Sequence, residues 1–558
     1  MTDVPSLEAY DWDEYDYETF DDLDEQFEHE VPERFNIADY TCDRWAADRK
    51  NHVALYEESL DGDSSAYSFQ QISKLSNQLA HGLRERGVER GDRIAFNGSQ
   101  RVEPIVLSMA TFKLGAVAVP LSVLLGPDGL RYRLDDCSTT VFLADEGAID
   151  TIREVRGDLD ALDHVLTMGA YDGADEENVW DVLEGQPRRF DNVDTDAEDD
   201  ACIVYTSGTT GQPKGALHAH RHLLGVLTTT AFGNQDESSV AYTVVEWSWI
   251  ASFNGLVLVN MFYGRPVLGY DREEFEPETA FDLIEKYGVT RFSTSTTGLR
   301  MMMQVDDPGE RWDLSSVRKT VAGGEHVGHS IAEWLYDTFP NTEFSVGYGQ
   351  TEAPALVTDK PEIGLRHKFE YLGTPNLGHE FAVLDPETLE PVEQGEVGEL
   401  AVRYEGDPML MKEYWNKPGK TDEKIREGWL LTEDLVKEDE DGYLKFQTRK
   451  DDVIINSGYR IGPAEIEESL ATHGAVLKAG VIGVPHETRG EIPKAFVRLA
   501  DGHEPSDSLN EELQSHVKEN LAKYEYPREI EFVEELPLTS TDKVQRHKLK
   551  QWEGVADE

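Results

Sequence analysis

Apolar residues along this chain fall in short runs that alternate with longer amphipathic stretches. DRIAFNG (Asp92–Gly98) is a short run, EPIVLSMATFKLG (Glu103–Gly115) a long stretch, and AVAVPLS (Ala116–Ser122) a short run again. DACIVYT (Asp200–Thr206), YGVTRFSTST (Tyr287–Thr296) and RKTVAGGE (Arg318–Glu325) read as further strands. ALHAHRHLLGVLTTT (Ala216–Thr230) reads as a helix after a glycine-rich loop. Strand, helix and strand in repeated order predict an α/β fold with largely parallel sheets, in layers of sheets and helices.

Near residue 450 the texture changes. LKAGVIGVP (Leu477–Pro485), KAFVRLA (Lys494–Ala500), NEELQSHVKENLA (Asn510–Ala522) and REIEFVEEL (Arg528–Leu536) predict a small α+β domain, in which Pro463 opens a helix at its first turn. The expected division is an acidic extension at 1–30, poorly ordered or peripheral, a large domain at 31–448, a charged connection at 449–452 and a small domain at 453–558. A small terminal domain on a charged link is a piece that can move. Residues 171–200 are loop-rich and acidic.

Charge changes the picture of the surroundings. The 558 residues carry 52 Lys and Arg against 110 Asp and Glu, a net charge of −58 spread over the whole length. Such a surface repels nucleic acid and anionic lipid, so neither is an expected partner. In molar salt the Debye length falls to about 3 Å and dense like charge becomes tolerable, which points to a halophile that keeps salt inside. No apolar run is long enough for a membrane span. The acidic N-terminus lacks the basic start of a secretory signal. Three widely separated cysteines argue against a disulfide framework and for a reducing cytoplasm.

YTSGTTGQPKGALHAH (Tyr205–His220) carries the candidate chemistry. An apolar strand running into small residues presents N–H groups and hydroxyls to an anion, and Lys214 adds a positive charge. The spacing is not GxxxxGK[ST], because Gly215 and Ala216 follow Lys214. A flexible linker is the plain alternative, disfavoured by Pro213, Lys214 and the strand before them.

This loop resembles the phosphate loop of the adenylate-forming acyl-CoA synthetases, luciferases and peptide-synthetase adenylation domains. VAGGEHV (Val321–Val327), GYGQTEA (Gly347–Ala353), GWLLTEDL (Gly428–Leu435), TRKDDVIINSGYRIGPAEIE (Thr448–Glu467) and LPLTSTDKVQRHKL (Leu536–Leu549) follow in the family's order. The resemblance runs from about Phe35 to Leu549, and its start is similar to the medium-chain branch.

It implies an ATP-dependent acyl-CoA ligase that makes acyl-CoA, AMP and pyrophosphate through an acyl-adenylate. Thr206, Ser207, Gly208, Thr209, Thr210, Gly211, Gln212, Pro213 and Lys214 would cradle the triphosphate of ATP. Gly323, Gly324 and Glu325 would lie along adenine, and Gly347, Tyr348, Gly349, Gln350 and Thr351 would close the other side. Glu352 would hold Mg²⁺ through oxygen. Asp434 would accept hydrogen bonds from the ribose hydroxyls, and Arg449 would add positive charge nearby.

Lys543 would be the main catalytic residue, because an ammonium bridging carboxylate and phosphate neutralises their approach. Asp542 stands where the family has Gly, a departure that bears on the lysine's loop. For the coenzyme A half reaction the small domain would rotate about Asp451, withdrawing Lys543 and bringing Ser457, Gly458, Tyr459 and Arg460 to the thiol's path. Arg489 and Tyr526 are further coenzyme A candidates.

Trp247 and Trp249 would lie near the acyl pocket, with core aromatics as the alternative. His218, His220 and His222 on a helix start would splay around its axis, which disfavours a metal site. Cys202 reads as a small buried apolar residue. Gly349, where acetate-specific relatives carry tryptophan, is expected to leave a deeper hole. That suits short- to medium-chain fatty acids, or an aromatic acid such as benzoate. An adenylating enzyme serving a carrier protein or an oxygenase-type relative is the rival, disfavoured because the sequence ends soon after Lys543. A nucleotide-binding protein without chemistry is disfavoured because Lys543, Glu352, Asp434 and Arg449 are all present.

Overall fold

In the computed structural model, the residues described are 4–168, 175–206, 212–231, 238–271, 275–324, 327–456, 459–486, 489–500, 502–521, 526–538 and 544–555. The chain forms two compact units. The first comprises Met1–Thr206, Pro213–Glu380 and Arg403–Gly428, and the second takes in Phe381–Val402 and Trp429–Glu558.

The first unit contains an eight-stranded and a nine-stranded sheet. In the eight-stranded sheet Asp200–Thr206, Val117–Leu121, Arg93–Asn97, Val141–Ala144 and His164–Thr167 run parallel in that order. Val117–Leu121 and Val141–Ala144 are buried at every position, which is why they read as unbroken apolar runs rather than alternating ones. The Val102–Leu114 helix is likewise buried all round. Its buried lysine, Lys113, gives its ammonium to Asp43 Oδ1 at 2.8 Å and Asn77 Oδ1 at 2.7 Å. Gly115, at φ 64°, closes that helix in the left-handed conformation.

In the nine-stranded sheet Val267–Tyr270, Ala241–Thr243, Arg291–Ser295, Lys319–Gly323 and Glu343–Tyr348 form a parallel block. Loops leaving the carboxyl ends of such strands are where open α/β sheets bind ligands. Both Gly323 and Gly347 stand at those ends, paired in register.

Two expectations are corrected here. Residues after the glycine-rich loop form a strand, Lys214–Ala219, rather than a helix, and the helix starts only at His222 and runs to Val226. Lys214–Ala219 has a hydrogen-bonding partner on each edge, Asp200–Thr206 and Glu413–Tyr414. Those ladders outweigh the local helical pattern. The N-terminal residues are also not a loose extension. Tyr10 is 1% exposed and, with Leu7, Leu23 and Phe27, is buried. Trp12 Nε1 donates to Thr230 Oγ1 at 3.1 Å, and Tyr17 donates to the Ala231 carbonyl at 3.0 Å. Acid faces outward while the interleaved aromatics of EAYDWDEYDYETF fasten the segment down.

The second unit's strands lie in two sheets. Phe381–Leu384, Val397–Arg403, Trp429–Glu438 and Leu444–Arg449 make one in that order. Val476–His486 and Gly490–Leu499 form the long hairpin of the other, flanked by Ile454–Asn456, Tyr459–Ile461 and Glu529–Phe532. The Pro463–Ala471 and Asp507–Asn520 helices pack Ile466, Leu470, Leu513 and Val517 into its core. Pro463 opens its helix as expected. Compactness thus groups 381–402 and 429–448 with the C-terminal sheet, although the sequence suggests a boundary at 449. The Thr432 hydroxyl donates to the Leu400 carbonyl at 2.7 Å, and Glu399 accepts from Glu433 N at 2.9 Å. Those bonds bind the stretches on either side of 403–428 together.

Candidate active site

In the first unit the site is built on the glycine-flanked strands. Thr206 and Lys214 pair in register across the antiparallel hairpin, so the loop between them starts and ends on neighbouring residues. Ser207, Gly208, Thr209, Thr210 and Gly211 lie outside the described residues. Tyr132 donates to the Pro213 carbonyl at 2.9 Å, and Tyr205 donates to Asp136 Oδ2 at 2.9 Å. Lys417 Nζ, 2.7 Å from Asp136 Oδ1, completes this brace at the loop's root. Burial, followed by the charges of Cys137 and Asp136, pushes the Tyr205 phenol far above its ordinary value, so it stays a donor.

Gly323 has no room for a side chain, since a Cβ would lie 2.3 Å from the Gly347 carbonyl oxygen. Gly324 sits at φ +91° with open space where its Cβ would be. Together they leave bare main chain at the end of the strand, suited to a flat base. Glu325 lies outside the described residues.

Beyond Tyr348 the chain turns tightly, with Gln350 and Ala353 exchanging hydrogen bonds at 3.0 and 3.1 Å. This corrects the expectation of a hole at Gly349. A Cβ there would lie 2.4 Å from Ala355 N and 3.0 Å from the Ala353 carbonyl. The turn's own main chain fills the space that the missing side chain was expected to leave.

Glu352, on that turn, is 7% exposed. Tyr414 donates to Glu352 Oε1. Lys214 Nζ is 3.3 Å from the Tyr414 hydroxyl and 4.4 Å from its ring centroid. Lys424, also buried, donates to Gln350 Oε1 at 3.0 Å. Burial acts to raise the Glu352 pKa, but Lys424, the Tyr414 hydrogen bond and Lys214 outweigh it and hold the carboxyl below its ordinary value. An ionised carboxylate is therefore maintained in a buried place, which fits a hard cation that takes its remaining oxygens from phosphate and water. Among the described residues no group of three His, Cys, Asp or Glu side chains could hold a metal by itself.

The three histidines are buried supports. Thr351's carbonyl accepts from His218 Nε2 at 2.9 Å, and Met409's carbonyl accepts from His222 Nδ1 at 2.7 Å. Ile37 N donates to His220 Nδ1 at 3.3 Å. Burial drives all three toward the neutral form, His220 to about 3 and His222 to about 4. Trp247 is fully buried, with its backbone N–H donating to the Gly98 carbonyl at 2.9 Å, and Trp249 starts a helical turn. Cys202 is buried in its strand, as its pattern predicts.

In the second unit Asp434 and Arg449 face each other in register across an antiparallel pair, 3.0 Å apart. Arg449 also reaches Glu433 Oε2 at 2.9 Å. Asp434 is 3% exposed, and the guanidinium compensates its buried charge. Asp451 lies in a short 3-10 turn, Lys450–Asp452. On one side Lys450 pairs with Glu399 at 3.0 Å, and on the other Asp452 pairs with Arg546 at 2.9 Å. Arg546 is itself 2.6 Å from Glu467.

Tyr459 and Arg460 belong to the short strand paired with Ile454–Asn456, while Ser457 and Gly458 lie outside the described residues. Arg489 is at the tip of the long hairpin, and Tyr526 lies 3.8 Å beneath Lys518 Nζ and 5.0 Å from Arg528. Lys543 and Asp542 lie outside the described residues.

Tyr414, Lys424 and His218 are the supports that sequence reasoning missed. KEYWNKPGK (Lys412–Lys420) lies between the recognised motifs, and only its pairing with the Lys214–Ala219 strand reveals the role of Tyr414.

The model of the AMP-binding enzyme family matches residues 42–415, and that of the AMP-binding enzyme C-terminal domain matches 465–543. The chain is 32% identical to the acetyl-coenzyme A synthetase of Bacillus subtilis (strain 168), over 93% of this chain and 91% of that protein. It is 31% identical to the mitochondrial acyl-coenzyme A synthetase ACSM4 of Mus musculus, over 96% of this chain and 94% of that one. The solved anthranilate CoA ligase AuaEII, in complex with anthranoyl-AMP, superposes with a TM-score of 0.83 at 28% identity. That match covers 94% of this chain and 98% of that one.

Proposed function

The chain belongs to the AMP-binding enzyme family and is an AMP-forming acid–CoA ligase, and we propose that its acid is a short- to medium-chain fatty acid. The observation that carries the reading of the site is the Glu352 cluster. A buried carboxylate kept ionised by two lysines and a phenol stands beside the hairpin whose tip is the expected phosphate loop.

ATP's triphosphate would lie along Thr206 to Lys214, with adenine against Gly323 and Gly324 and the ribose hydroxyls on Asp434. Arg449, 3.0 Å from Asp434, fixes that carboxylate's orientation for the purpose. Mg²⁺, held by Glu352, would supply neutralising charge to the phosphate oxygens. Lys543 would bridge the incoming carboxylate and the α-phosphate, so that the acid's oxygen attacks phosphorus in line and pyrophosphate leaves. Coenzyme A's sulfur then attacks the acyl carbon, and AMP departs.

Asp451 is suited to the intervening rotation. Its neighbours Lys450 and Asp452 are each fixed to different strands and helices, which leaves the torsions at 451 as the place to turn. Ser457 to Arg460, Arg489 and Tyr526 would receive coenzyme A.

Purified protein given Mg²⁺, labelled pyrophosphate and acids from acetate to dodecanoate in molar KCl should exchange label into ATP, with an optimum along the chain-length series. Each buried CH₂ contributes about 0.8 kcal/mol, so neighbouring acids differ measurably until the pocket is full. Flat rates would defeat the fatty-acid assignment. A second reading, an aryl acid, draws support from the likeness to the anthranilate ligase, and a peak at benzoate or anthranilate in the same panel would select it.

We further propose that the enzyme works in a salt-rich cytoplasm. With a net charge of −58, removing KCl restores repulsion across the surface. Activity and thermal midpoint should therefore fall together as salt is dialysed out, and full activity in dilute buffer would contradict this. Among the described residues, no helix is long and apolar enough to cross a membrane.

A further inference from the structure

Tyr414 stands where two parts of the site meet. Its two-residue strand pairs with the strand that leaves the phosphate loop, with Tyr414 opposite Ala216 and Glu413 opposite Leu217. That pairing aims the ring at Lys214, the first residue of the same strand. A phenol hydroxyl has one proton and two lone pairs, and both kinds of valence are used here. Lys214 Nζ donates to the oxygen at 3.3 Å, and the hydroxyl donates to Glu352 Oε1. The ring face lies 4.4 Å from the same ammonium, so π-attraction adds to the hydrogen bond. Tyr414 is 1% exposed, and its backbone N–H is taken by Thr421 Oγ1 at 2.9 Å, so neither ring nor main chain is free to swing.

We infer that Tyr414 is a positioning residue for adenylate formation, coupling the phosphate-loop lysine to the Glu352 carboxylate through one shared hydroxyl. The inference rests on the ligase reading, in which Lys214 meets phosphate and Glu352 meets Mg²⁺. Ammonium, phenol and carboxylate form a directed chain in which each bond polarises the next. By occupying Oε1, the phenol decides which oxygen of Glu352 remains for a cation. The turn is also held at Glu352's own carbonyl, which accepts from Met411 N at 2.9 Å, and at the Thr351 carbonyl by His218. Main chain and side chain are thus fixed separately, and only the side-chain restraint passes through Tyr414. The charged and titratable groups acting on Glu352 are Lys424, Tyr414 and Lys214.

Tyr414→Phe removes the hydroxyl and keeps the ring. Pyrophosphate exchange should fall about 10- to 100-fold, the loss typical when a residue orienting a metal ligand is removed. The Mg²⁺ concentration for half-maximal exchange should rise severalfold. Binding of Mg²⁺ with ATP, read by calorimetry without acid substrate, should weaken severalfold, while KM for the carboxylic acid stays unchanged. AMP release from preformed acyl-adenylate and coenzyme A should be unaffected. Tyr414→Phe and Lys214→Met should also combine non-additively, because both break the same chain.

Wild-type Mg²⁺ dependence per folded molecule in Tyr414→Phe, or strictly additive losses in the double variant, would overturn the inference. Wild-type protein that exchanges no pyrophosphate with any acid would instead sink the ligase reading itself.

Discussion

Lys543→Ala should slow acyl-adenylate formation by roughly 10³-fold, the upper end of what one transition-state donor is worth. It should leave thioester formation from preformed adenylate near the wild-type rate. The asymmetry follows from charge. Joining a carboxylate to the α-phosphate brings two anions together, and the cation between them is most needed as the new P–O bond forms. The second step has a neutral acyl carbon as electrophile and AMP as a ready leaving group, so a lysine withdrawn by rotation contributes nothing. Measuring pyrophosphate exchange beside coenzyme A-dependent AMP release separates the two steps. Equal loss in both would remove Lys543 from its assigned role. Asp542, in place of the family's glycine, gives the comparison its control: Asp542→Gly should keep the step-specific pattern.

Gly349→Ala should cost roughly 100-fold in kcat/KM toward every acid in the panel, as displacements of about 1 Å near a reacting centre do. The added methyl would meet Ala355 N at 2.4 Å and the Ala353 carbonyl at 3.0 Å. These are main-chain atoms of the turn that carries Glu352, so the turn must shift rather than a side chain rotate. Overpacking of this kind commonly costs about 1–3 kcal/mol, so the thermal midpoint should drop as well. Gly349→Trp should then be inactive rather than retuned to acetate. A clean switch to acetate with full turnover would show that the turn yields and that this position sets pocket depth.

Much of the layered architecture was legible because its strands are buried on both faces. Val117–Leu121 and the apolar middle of Asp200–Thr206 announce themselves as apolar runs whatever their neighbours do. Pro463 and Gly115 mark helix ends by local backbone chemistry alone. The Lys214–Ala219 strand was illegible because its conformation depends on partners on both edges, one of them about 200 residues away in the chain. Residues 4–30 misled for a related reason: acid dominates their composition, whereas four scattered apolar side chains decide where they sit.

Motifs picked out the glycines and Glu352 in the first unit, and Asp434 and Arg449 in the second, as candidates. Lys424 and Tyr414 were not, since nothing in KEYWNKPGKTDEK says which buried carboxylate they meet. Gly349 was readable as a position and misread as a space, because room beside a glycine depends on where its own turn returns.

The register pair Thr206↔Lys214 has a thermodynamic consequence. A segment whose ends are held side by side by a sheet has met the entropy of closure when the domain folds, not when nucleotide arrives. The spacing of Thr206 and Lys214 is therefore set before any ligand meets them, and binding there bears no closure cost.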